Sequence, residues 1–186
     1  MVTNRQNALP LTPGEKFHLF AKQAFDPTEF AVTAAQAGLS QAENEFPGYG
    51  QGWKGYAKRY GATFGDEVSS GFWSNFVYPS LLKEDPRYFR LGEGSFKHRV
   101  AYSVKQEFVC RTDKGGRSFN YSAVLGAFTA GGVSNLYYPS SDRGFGLTMS
   151  RASIAVAYGV AGSLFDEFGS DVHRKLFHRR QKAGDK

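Results

Sequence analysis

Four stretches of this 186-residue chain place small residues at every fourth position: Ala34, Gly38, Ala42; Ala57, Gly61, Gly65, Ser69; Ser122, Gly126, Ala130, Ser134; and Ala155, Gly159, Ser163. On an α-helix these positions stack on one face, and a face without bulk admits a second backbone unusually closely. The pattern predicts an all-α fold, a single bundle of about six helices packed through Gly/Ala/Ser faces. Gly61, Gly65, Gly126, Ala130 and Gly159 are the expected contact points. Glycine inside a helix costs about 0.5 to 1 kcal/mol relative to alanine, so 22 glycines require compensation by packing.

Helix boundaries follow from capping chemistry. Thr12-Pro13-Gly14-Glu15 is a capping box with proline at the first helical position, and Asp26-Pro27-Thr28-Glu29 repeats the logic. Helices are expected at 13–24, 27–44, 52–82, 96–111, 118–138 and 145–179, with Asp85-Pro86 stopping the third because a residue before proline disfavours the α region. The expected domain is 1–186, with 1–11 a flexible start and 180–186 a flexible basic tail. Aromatic residues make up 16% of the chain, which predicts a core of large rings seated against bare backbone.

Charge and cysteine usage narrow the chemistry. The single cysteine, Cys110, excludes an internal disulfide framework and is expected as a small buried hydrophobe. The four histidines form no i, i+4 pair and no Glu-x-x-His, so no metal site is expected, and no cofactor signature is present. The nucleophile elbow, the phosphate-binding loop and a dinucleotide fingerprint in the context of a strand are all missing. The net charge of +6 gathers at His173 to Lys182, which suits a helix C-terminus or an anionic lipid surface; nucleic acid is supported by charge alone.

Residues 118–141 carry no ionisable side chain, and 144–165 carry only Arg151. Both segments have the length of a membrane span, but a central arginine costs about 2.5 to 3.5 kcal/mol on an insertion scale, and Asn120 and Asn135 add polarity. Independent spanning is therefore not expected, whereas close packing on a membrane or on a second copy is. The start, MVTNRQNALPLTPGEK, holds no apolar signal core, which places the protein in the cell envelope if a signal was removed and in the cytoplasm otherwise.

Two polar groups stand out. Lys83-Glu84-Asp85-Pro86-Arg87-Tyr88 reads as a helix stop in which Asp85 caps and Arg87 pairs with an acid, or as a loop-borne site. Asp66-Glu67 interrupts a small-residue face, so one acid is expected to be buried, either paired with Arg59, Arg117 or Arg151 or held at a raised pKa. Asp66, Glu67, Asp85 and Arg87 are thus the catalytic candidates, with Glu107 as a further polar group, and Asn120, Asn135, Tyr137 and Tyr138 are the ligand-binding candidates.

The run Pro79-Ser80-Leu81-Leu82-Lys83-Glu84-Asp85-Pro86-Arg87-Tyr88-Phe89-Arg90, followed by Gly92-x-Gly94-Ser95 and by Ser134-Asn135-Leu136-Tyr137-Tyr138-Pro139, resembles an uncharacterised family of acidobacterial-type envelope proteins. The resemblance extends over about residues 11 to 178 and implies an envelope setting without an assigned activity. Two functions are thus expected to compete. One is a non-enzymatic envelope protein that self-associates or packs on membrane through small-residue helices. The other is a soluble bundle with an apolar ligand pocket, or an enzyme drawing on the acids and arginines above.

Overall fold

The computed structural model describes residues 2–3 and 8–184, with side chains from 8 to 174. The fold is all-α, with small strand pairings at its edge. Its helices are α1 (Pro13–Ala24), α2 (Pro27–Ala42), α3 (Gly52–Gly71), α4 (Tyr78–Leu82), α5 (Phe96–Phe108), α6 (Tyr121–Ser134) and α7 (Phe145–Gly184). The capping box at Thr12 and Glu15 forms, and Asp26 caps α2 through Thr28 N–H. Of the start expected to be flexible, residues 1 and 4–7 lie outside the described residues, and 2–3 form β1 (Val2–Thr3). The backbone of α7 continues through 180–184, while the basic side chains beyond Arg174 lie outside the described set.

The predicted helix 52–82 is one rod with a wider turn in the middle. Phe72–Val77 is π-helical and joins α3 to α4. Pro79 has no N–H and its ring clashes with the carbonyl four residues earlier, so the helix widens at Asn75 rather than breaking. Lys83, at φ 57°, ends the rod in the left-handed region.

Two predicted helices are shorter than expected. The helix from Phe96 stops at Phe108, and Val109–Thr112 (β4) turns back on Arg117–Phe119 (β5). β2 (Glu84–Asp85) adds to this pair in the antiparallel order β2-β4-β5. A β-branched stretch followed by Gly115 at φ +83° favours a hairpin, and the strand residues Arg117–Phe119 remove the start of the helix expected at 118. Tyr88–Phe89 (β3) pairs in parallel with β1.

Helix α6 is the centre of the bundle, packing against α7, α3, α4 and the π-helical turn. Its buried residues are Ser122, Gly126, Ala127, Ala130, Gly131 and Ser134, all small. A Cβ on Gly126 would lie 2.7 Å from the backbone nitrogen of Ser74 and 2.8 Å from its Cα, so the π-helical turn rests directly on α6. On another side, a Cβ on Gly131 would lie 2.5 Å from the Thr148 carbonyl oxygen of α7. Gly65 faces the Tyr137 ring, and Gly159 faces the Glu107 carboxyl rather than a helix backbone. Gly61, expected at a helix contact, is exposed with nothing within 4 Å of its Cβ position.

This geometry separates the glycines by consequence. Gly126→Leu forces two backbones apart and should cost more than the roughly 3 kcal/mol upper end of ordinary overpacking. Gly61→Ala removes helix-interior glycine entropy without a clash and should stabilise by about 0.5 to 1 kcal/mol. Chemical denaturation of both variants against the parent checks the pair.

Candidate functional site

Large buried side chains in this protein are mostly charged or ringed. Arg59 is 1% exposed and donates to the carbonyls of Glu45, Phe46 and Gly50 and to Gln41 Oε1, tying the start of α3 to the loop before it. Lys16 is equally buried and joins α1 to the Pro79 carbonyl and to Asp113 at 2.8 Å. Glu167 is fully buried in α7, where it accepts from Tyr88, Arg99 and the Leu91 and Gly92 amides. These donors hold its carboxyl below the usual glutamate range despite burial. All three act as cross-links. Nothing in the spacing of the sequence marked Lys16 or Glu167, whose partners are 63 to 97 and 68 to 79 residues away.

Asp66 anchors a second network. Its Oδ1 accepts from Ser134 Oγ at 2.5 Å and Tyr137 OH at 2.6 Å, and its Oδ2 from Tyr138 OH at 2.6 Å. The Arg151 guanidinium stands 3.7 Å from Oδ2, donates to Tyr138 OH, and reaches Glu45 at 3.3 Å. Of the three arginines expected as partners, only Arg151 takes the role. Arg59 is spent on carbonyls and Arg117 is exposed in β5. Burial, followed by the Asp66 charge, raises the hydroxyl pKa of both tyrosines, so each remains a donor.

The remaining candidates separate in space. Asp85 accepts from the Arg87 amide and guanidinium, and Arg87 also donates to the Leu9 carbonyl, latching the N-terminal segment. Asp85 sits in β2 rather than at a helix cap; it is Glu84 that accepts from the amide and hydroxyl of Ser122 at the start of α6. Asn120 caps α6 through the Ala123 amide and donates to the Glu107 carbonyl. Asn135 bridges α6 to α7 through Thr148 and the Gly144 amide.

A cavity of about 360 Å³, partly open to solvent, lies among α2, α3, α5, α6, α7 and the π-helical turn. Ala123, Ala127 and Ala130 of α6 line it, with walls from α3 and α7, which touch each other only sparsely. Asp66, Glu67, Asp85, Arg87, Glu107 and Asn120 all reach its surface, while Asn135, Tyr137 and Tyr138 do not. Glu67 lies against Gln36 with Glu29 and Asp66 nearby, and burial, then those two charges, push its carboxyl up to about 7. Glu107 sits over Gly159, and burial alone pushes it up to about 7. Among the described residues no group of three or more His, Cys, Asp or Glu could hold a metal ion.

Comparison with protein-family models, curated proteins and solved structures finds no match to this chain.

The two raised carboxyls set a pH dependence. Each favours the protonated form in the folded state, so its stabilising contribution is complete below the ordinary value of 4.5 and is lost as pH rises through about 7. A shift of this size corresponds to on the order of 3 kcal/mol per group. Glu67→Gln and Glu107→Gln should therefore gain stability relative to the parent between pH 5 and pH 8, as read by urea denaturation at both values.

Proposed function

We propose that this protein docks on anionic membrane surfaces from one side, as a non-enzymatic peripheral protein. The observation that carries this reading is the outer face of α6. Tyr121, Leu125 and Phe128 stand on it at helical spacing and are 54%, 43% and 42% exposed, in a segment without Asp, Glu, Lys, Arg or His. Tyr78 OH lies 2.8 Å from Thr129 Oγ1 and Glu84 holds Ser122, so α4 runs antiparallel beside this stripe and brings exposed Leu81 and Leu82 with it. Phe119, exposed in β5, packs edge-on to Tyr121.

Charge around this end of the face favours an anionic partner. Lys83, Lys114 and Arg117 are exposed where α4 and the β4–β5 hairpin meet it. The acids of the same region turn inward: Glu84 holds the start of α6, Asp85 holds Arg87, and Asp113 pairs with Lys16. Apolar residues rimmed by cations are the chemistry of an interfacial surface, where each basic residue adds about 1 kcal/mol on an anionic leaflet. No described helix is long and apolar enough to cross a membrane, and the proposal is accordingly one of docking.

The small-residue stripes enter this reading differently from the initial expectation. Gly126 and Gly131 are covered by other elements of the same chain, so association falls to the aromatic and aliphatic outer face instead. Flotation with phosphatidylglycerol vesicles tests the proposal. The parent should float, less so in 0.5 M salt. Leu125→Glu with Phe128→Glu, and separately the triple exchange of Lys83, Lys114 and Arg117 to Glu, should each abolish flotation while leaving the helical circular dichroism intact. A parent that stays in the aqueous fraction, or variants that float like it, overturns the proposal.

A further inference from the structure

The central cavity has a composition unlike the rest of the protein. The chain carries 23 lysines and arginines against 17 acids, yet among the described residues no lysine or histidine reaches the cavity. The two arginines that do are committed, Arg87 to Asp85 and Arg151 to Asp66, Glu45 and Tyr138. Glu84 is likewise satisfied by Ser118 and Ser122. Besides Glu84, three lining carboxyls have no ion pair among the described residues: Glu29 from α2, Glu67 from α3, which is hydrogen-bonded to Gln36, and Glu107 from α5.

Their placement differs from that of a metal site. Glu67 and Glu107 come from separate helices, and Glu107 is influenced by burial alone, with no charge of α3, α6 or α7 acting on it. Part of the lining is apolar, Ala123, Ala127 and Ala130 of α6 with Ile154 and Ala155 of α7, and neutral polar groups such as Ser122, Ser134 and Ser163 complete it. From Ala123 to Ala130 the floor runs about 10 Å along the helix. A ligand matched to this space has an aliphatic body and positive charge at more than one point, and the volume lies within the range of small-molecule sites.

We propose that the cavity between α3, α6 and α7 binds an aliphatic di- or polyamine, with Glu67 and Glu107 as its carboxylate partners. An amine replaces the solvation each carboxyl has lost, and its methylene chain covers the alanine floor. The empty α6 face then has a use besides close packing. Small residues at 123, 127 and 130 leave room where Leu or Phe would fill the core.

Isothermal titration calorimetry on the full chain at pH 8 and 0.15 M salt tests the site, with spermidine and 1,5-diaminopentane as probes and 1,5-pentanediol as the neutral counterpart. Saturable binding of the amines and none of the diol is expected. Glu67→Gln and Glu107→Gln should each weaken binding at least tenfold, whereas Glu93→Gln, on the exposed loop before α5, should not. Binding should also weaken at least tenfold at pH 5.5, where both carboxyls are protonated. Amine heats no larger than those of added sodium chloride, equal binding of the diol, or affinity unaltered in both cavity variants overturns the proposal. Loss of vesicle flotation does not bear on it, since the docking face lies on the other side of α6.

Discussion

The close approach of backbones on α6 is the constraint from which the rest of the structure follows. Gly126 accepts the π-helical turn at Ser74, and Gly131 accepts α7 at Thr148. With two neighbours seated at backbone distance, α6 can be central although it buries no large side chain. Dispersion contacts between well-packed backbones take the place of the interdigitated Leu and Ile of an ordinary bundle. The π-helical turn is part of the same arrangement, since the proline that widens the rod lies one turn beyond the residue that rests on α6.

A core built this way is short of apolar mass, and buried polar cross-links compensate. Lys16, Glu167, Asp66 and Glu84 each join segments distant in the chain, Arg59 ties α3 to the loop before it, and each has several partners. Truncating one such group strands the others in a low-dielectric interior, which typically costs 3 to 5 kcal/mol for a broken buried pair. Rings supply much of the remaining contact. Phe17, Phe20, Phe72 and Phe76 from α1 and the π-helical turn meet at centroid distances of 5.1 to 6.0 Å.

The same helix gives the protein two different surfaces. One side of α6 is small and faces the cavity, and another presents Tyr121, Leu125 and Phe128 outward. The proposed amine site and the proposed docking face lie on opposite sides of this one helix. The cross-links that fix α4 and the β4–β5 hairpin, through Lys16 and Glu84, also fix the cationic rim relative to the apolar stripe.

Local signals in the sequence determined the helices. Thr12 and Asp26 mark their starts because capping is decided within three residues, and the i, i+4 stripes mark α6 as a helix of close contacts because helical periodicity is a local property. The adjacency of Asp66 and Glu67 on a small-residue face also foretold that they could not share solvent. Which of the two takes the arginine was decided only in three dimensions. Asp66 meets Ser134, Tyr137 and Tyr138 from 68 to 72 residues away, and Glu67 is left to the cavity. Tertiary structure also decided the β4–β5 hairpin at a predicted helix end, the open space at Gly61, and the partners of Lys16 and Glu167. Burial and long-range pairing depend on how helices are laid against one another, and neither capping nor periodicity carries that information.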